Sequence, residues 1–135
     1  MSFGWFGDAG LTVPLTRADF VRGAPAAVDR VVYFGSPLAG KKLQRASSPG
    51  VAALEVVVQD ADAGAGVQAS HVRLALSAGG LAGATPGAAL PIGATVLGGA
   101  ANAVPVFVRV NAPQTTPGNY DDVSLAVNGS LETDV

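Results

Sequence analysis

The residue types that could do chemistry are few, and His71 is the chain's one histidine. A hydrolytic triad would set it beside an activated Ser or Thr and an orienting acid. Instead it opens His71-Val72-Arg73-Leu74-Ala75-Leu76-Ser77, whose alternation turns Val72, Leu74 and Leu76 inward and shows His71, Arg73 and Ser77 to water. A surface histidine is the simpler reading, and no ligand-spaced cluster accompanies it to hold zinc. Gly35-Ser36-Pro37-Leu38-Ala39-Gly40-Lys41 has the spacing of a phosphate-cradling loop. The position after the lysine needs a hydroxyl for Mg²⁺ and is Lys42, and Leu43–Ser48 meets Pro49 before a helix can present its amides. A Gly/Pro turn with two solvated lysines accounts for it better.

Asp60-Ala61-Asp62-Ala63-Gly64 resembles the start of a calcium loop, but its twelfth position, where a bidentate Glu belongs, is His71. Asn128-Gly129-Ser130 fits a glycosylation acceptor, although Asn-Gly reads more naturally as a hairpin turn. No pair of carboxylates is singled out for acid–base work. The expectation is a protein without catalytic residues, cofactor or metal, and not an enzyme.

The elements that hold these residues read as strands. Leu54-Glu55-Val56-Val57-Val58-Gln59 alternates so that Leu54, Val56 and Val58 share a face, and Val106–Val110 and Val123–Val127 repeat the scheme. Arg30–Phe34 is a further strand too apolar to orient, with weaker candidates at Lys42–Arg45 and Ala94–Leu97. Turn chemistry separates them at Gly35-Ser36-Pro37, Ser48-Pro49-Gly50, Asp62–Gly66, Gly79-Gly80, Pro86-Gly87, Gly98-Gly99, Pro117-Gly118 and Asn128-Gly129. Helical periodicity is confined to a possible single turn near Arg17–Arg22. Short strands at this spacing predict an all-β, antiparallel β-sandwich. Pro117-Gly118-Asn119-Tyr120, just before a strand, has the form of a tyrosine corner, giving Tyr120 a structural role.

Residues 1–27 read differently, as an extended N-terminal arm or edge segment ahead of a single sandwich domain over 28–135. Phe3, Trp5, Phe6 and Phe20 are four of the chain's eight aromatics, interrupted by Gly4, Gly7, Gly10 and Pro14. Such residues either pack on their own core or dock on a neighbour, as aromatic anchors do. Phe3, Trp5, Phe6 and Phe20, with Arg17 and Arg22, are the candidate protein-interface residues.

Composition narrows the function. The 135 residues are 49% hydrophobic and only 13% charged, which argues against disorder, and a chain this long buries an ordinary core. There is no cysteine, hence no disulfide and no thiolate chemistry. A net charge of −2 does not suit a nucleic-acid binder. The charge is uneven: residues 1–50 carry six Lys/Arg against three Asp (+3), and residues 51–135 two Arg against seven acids (−5). That split suits head-to-tail contact between copies or a basic first third lying on an acidic partner. Met1-Ser2-Phe3-Gly4-Trp5 lacks the basic flank and apolar run of a secretion signal, and no stretch approaches the ~20 apolar residues of a membrane span. The expectation is a soluble protein with no membrane partner.

From Ala112 through Gly129 the chain is similar to the closing strands of β-sandwiches on bacterial and phage surfaces. With the Gly-rich aromatic segment Ser2–Pro14, the Ala/Gly-rich strands and the lack of cysteine, the whole resembles a tailed-bacteriophage capsid cementing (decoration) protein. The resemblance implies a jelly roll, or alternatively an immunoglobulin-like Greek key, on the outside of a virion shell. It also implies a major capsid protein as partner, a homo-oligomer (dimer or trimer), and synthesis in the host cytoplasm. The competing readings are a surface adhesion or carbohydrate-binding sandwich module and a tail or fibre subunit.

Overall fold

The computed structural model describes residues 2–16, 28–60, 69–111 and 123–135. Within them the regular elements are ten strands and three single 3-10 turns, so the chain is all-β. The strands are β1 (Gly4–Phe6), β2 (Val28–Gly35), β3 (Lys41–Arg45), β4 (Leu54–Asp60), β5 (Val72–Ala75), β6 (Leu90–Gly93), β7 (Thr95–Leu97), β8 (Val104–Val110), β9 (Val123–Val127) and β10 (Ser130–Asp134). They form three antiparallel sheets ordered β1-β2-β8-β5, β10-β3-β7 and β6-β4-β9.

The two three-stranded sheets continue one another. Along β6 and β7 the partners run from Val56 to Leu54 of β4, then from Gln44 to Lys42 of β3. Along β9 and β10 they run from Asp60 to Val56, then from Arg45 to Lys41. β3 and β4 are thus one line of middle strand, interrupted by an excursion at residues 46–53. Asn128-Gly129 is not a hairpin, because β9 pairs with β4 and β10 with β3. Only Gly129 has a positive φ (66°) there, whereas a type I′ turn needs two. The chain bends and runs on.

Two apolar clusters connect residues of the four-stranded sheet with residues of the three-stranded ones. Val32, Val72, Leu74, Val106, Val108 and Val110 of the four-stranded sheet meet Val56 of β4. Phe3 and Phe34 meet Leu43, Leu54 and Val96 of β3, β4 and β7. The alternations at Leu54–Gln59 and Val106–Val110 therefore face as their sequence requires. The run His71–Ser77 is shorter than its pattern: His71 sits in a 3-10 turn, β5 ends at Ala75, and Leu76 is left 49% exposed by the turn beginning at Ser77.

Residues 4–6 form an edge strand, with Trp5 opposite Phe34 and Phe6 opposite Tyr33. The segment behind it folds back, Leu15 N donating to Trp5 O and Gly7 N to Val13 O. The Asp8 carboxylate accepts from the amides of Thr12 and Val13, both at 2.9 Å, and closes this turn. These bonds, the Thr12 hydroxyl's first, hold the Asp8 carboxyl below its usual range.

Candidate functional site

The aromatic residues expected at an interface fall in different places. Phe3 and Phe6 are buried, so the chain's own fold takes the surface they would offer a partner. Trp5 is half-buried against both clusters, its ring 5.1 Å from that of Phe34, which also lies 6.2 Å from Phe3. Phe34 is the acceptor that draws this aromatic group inward. Phe20, Arg17 and Arg22 lie outside the described residues, as do Asp62 and Tyr120.

The glycine-lysine loop is a link between strands. Lys41 and Lys42 begin β3, so a strand follows where phosphate binding would want a helix. Ser36 is fully buried, its hydroxyl 2.6 Å from that of Ser2 and accepting from Leu38 N. Ser2 N and Oγ donate to Glu132 Oε1 at 2.7 and 2.9 Å, and Phe3 N adds a longer bond. Partial desolvation pushes the Glu132 carboxyl upward, but these donors outweigh it and hold it below its usual value. Lys41 pairs with Asp134, raising the lysine and lowering the acid. These groups are occupied with structure. Among the described residues no cluster of His, Cys, Asp and Glu could hold a metal, and no helix is long and apolar enough to cross a membrane.

Two of the exposed large apolar side chains, Leu97 and Leu131, lie on the sheet β10-β3-β7, and Leu38, Val51 and Val135 lie on segments that adjoin it. Cross-strand partners share a face, so Leu43 points inward with Val96 and Glu132. Leu131, Thr133, Lys42, Gln44, Thr95 and Leu97 point the other way. Leu97 and Leu131 are 45% and 54% exposed, on the two strands flanking β3. Exposed Leu38 lies beside β7, where its carbonyl packs so closely on Gly98 that a Cβ there would sit 2.0 Å from the oxygen. Exposed Val51 stands on the excursion, which folds back so that a Cβ at Gly50 would lie 3.1 Å from the Gln44 amide nitrogen. Gln44 Nε2 donates to Thr95 Oγ1 at 2.9 Å, tying β3 to β7 across this face. The result is a mixed face on which Leu97 and Leu131 stand in water among Lys42, Gln44, Thr95 and Thr133.

A second surface is the outer face of the four-stranded sheet. Register places Tyr33, Val31, Phe107, Arg73, Arg109 and Asp29 on it together, beside Phe6 and Ala75, which are buried. Tyr33 and Phe107 are diagonal neighbours on adjacent strands and half-buried. Arg73 and Arg109 lie directly opposite each other, a like-charge pair that needs relief. Asp29 supplies it, gripping Arg109 through two oxygens at 2.8 and 3.0 Å, while Arg73 donates to Ala82 O. The Arg109 bond lowers Asp29 and raises Arg109.

Sequence reading did not find Leu97 or Leu131 as surface residues, because register alone shows that they point away from the core. The chain carries no charge anywhere from Leu74 to Val108, so no local signal sets Leu97 apart. Compared with protein-family models, curated proteins and solved structures, the chain matches none of them.

Proposed function

We propose that this protein is a non-catalytic structural module that binds the outer surface of a virion shell and reinforces the contacts between major capsid protein subunits. The observation that carries the proposal is the grouping of Leu38, Val51, Leu97 and Leu131 on one sheet and its adjoining loops. Apolar side chains clustered on a surface mark a contact site for another macromolecule. Lys42, Gln44, Thr95 and Thr133 give that face the polar positions an interface uses to fix register. Burial at about 25 cal/mol per Å² is modest for one copy, but it is multiplied when many copies sit on one lattice.

The fold suits this work if its sheets are the two layers of a sandwich. The clusters joining the four-stranded sheet to both three-stranded sheets support that reading. A jelly roll is favoured over an immunoglobulin-like key, because from β2 onward no described strand pairs with its neighbour in sequence. An immunoglobulin sandwich keeps several such neighbours within a sheet.

The test is co-sedimentation with assembled shells recovered from the cells that make the protein. The expected result is a fixed number of copies per capsomer, lost on Leu131→Asp or Val51→Asp with the fold intact. Protein that stays wholly in the unassembled fraction overturns the proposal.

Tyr33 and Phe107, aligned beside Asp29, Arg73 and Arg109, favour a second reading as a carbohydrate-binding module. A glycan titration that moves the Tyr33 signal, and fails with Tyr33→Ala, would replace the first reading with this one.

A further inference from the structure

We propose that the protein pairs with a second copy of itself through β7, edge to edge and antiparallel, joining two three-stranded sheets into one of six strands. This goes beyond the choice of outside partner and stands whether that partner is a shell or a glycan.

The argument begins with the backbone. Gly98 N donates to Lys41 O at 2.7 Å, which fixes the phase of the β3–β7 ladder. In an antiparallel ladder bonded and non-bonded pairs alternate. Val96, opposite Leu43, therefore turns its amide and carbonyl toward β3, and Thr95 and Leu97 turn theirs away. Among the described residues no strand lies on that side of β7. Two outward residues flanking Val96 form a self-complementary set. With a two-fold axis at Val96, Thr95 of each copy meets Leu97 of the other, and each pair exchanges both of its hydrogen bonds. Such an isologous contact closes as a dimer and does not propagate.

Side chains agree with the backbone. From Leu90 to Leu97 the β6–β7 edge carries no charge, so two copies approach without repulsion. Half-exposed Leu97 would lie across from the partner's Thr95, and Val96 would meet its counterpart next to the core. Pro91 lies on β6, consistent with an edge strand. The opposite edge has the contrary design. Val135 N to Gly40 O and Ala46 N to Gly129 O set the β10 phase, so Ser130, Glu132 and Asp134 face outward with their backbones. Pairing β10 with its own copy would bring carboxylates together, the device by which sheets discourage edge-to-edge contact.

A contact between three-residue strands is small, so the association is weak in free solution and is populated only at high concentration or on a shared lattice. Sedimentation equilibrium from about 10 μM to about 1 mM covers the range for such a contact. The wild-type average mass is expected to climb from 13.3 kDa toward twice that value. Thr95→Pro removes an outward amide and the Gln44–Thr95 side-chain bond while leaving the backbone bonds to β3, and Leu97→Lys sets charges on the edge. Each is expected to weaken association at least tenfold with an unchanged far-ultraviolet spectrum. Leu131→Lys, on the opposite edge, is the control and leaves association as in the wild type. Because the chain has no cysteine, Val96→Cys reports covalently: oxidation is expected to yield a disulfide dimer, whether or not Thr95→Pro folds.

A wild-type mass that stays at 13.3 kDa to the top of the range overturns the proposal. So does equal weakening by Leu131→Lys and Leu97→Lys, or an edge that is filled only when an extended peptide from another protein is added. Self-association that persists undiminished in a folded Thr95→Pro variant sinks this inference and, with shell binding intact, spares the functional one.

Discussion

The sheet β10-β3-β7 has two edges, and they are built oppositely. On β10, Glu132 points its charge inward to take three bonds from Ser2 and Phe3, and Asp134 pairs with Lys41. On β7 there is no charge; Gln44 bonds Thr95, and Leu97 stands half in water. Both edges rest on the same buried middle residue, Leu43, which faces Glu132 on one side and Val96 on the other. The difference shows how a short strand can be closed to new neighbours by acids or left ready for them by their absence.

Removing the common support has the largest expected effect. Leu43→Ala empties a fully buried site and should cost about 2–5 kcal/mol, read as a lower midpoint in chemical denaturation. A loss well under 1 kcal/mol would mean that the sheet does not rest there. Gly98→Ala separates the edges. Its new methyl would collide with Leu38 O, which is backbone and not free to swing aside, and overpacking of this kind costs about 1–3 kcal/mol. Hydrogen exchange should quicken at Leu43 and Val96, whose amides face each other between β3 and β7, and stay slow at Lys42 and Gln44, whose amides face β10. Uniform quickening on both sides would show that the two edges move together.

Acid distinguishes the edges from the other direction. Glu132 and Asp134 both have folded-state values below their ordinary 4.5 and 3.8. A lowered carboxyl contributes stability that is present above its ordinary value and lost as pH falls through its folded one. The melting temperature should hold from neutrality to about pH 5 and then decline. Glu132→Gln should flatten the part of that decline belonging to β10, and an unchanged slope would refute its role. Thr95→Ala, on the neutral edge, should leave the slope as it is.

Much of this was legible in the amino acids. The alternations around Val56, Leu74 and Val108 gave both element and facing, because one side of each strand is buried and period two shows it. β10 was hidden for the converse reason. In Ser130-Leu131-Glu132-Thr133-Asp134 the leucine faces water and a glutamate faces inward, so its pattern reads upside down. β6 was hidden by Pro91 and Gly93, which signal turns when no partner strand is known. The aromatic group at Phe3–Phe6 was visible, but its direction depended on Phe34, about thirty positions away in sequence. The exposed face came from strand pairing between distant segments, which no local pattern contains.

The excursion at residues 46–53 leaves the middle strand and returns to it in line, and Arg45 and Glu55 come within 3.8 Å across its base. Its tip is exposed, and Ser48 and Gly50 make the turn with positive φ. A loop whose two feet are already held together tolerates lengthening cheaply, at about 0.6 kcal/mol per doubling. A guest peptide spliced between Ser48 and Val51 would therefore be carried outward while both ladders kept their register, which makes this hairbend a natural point for displaying foreign sequence.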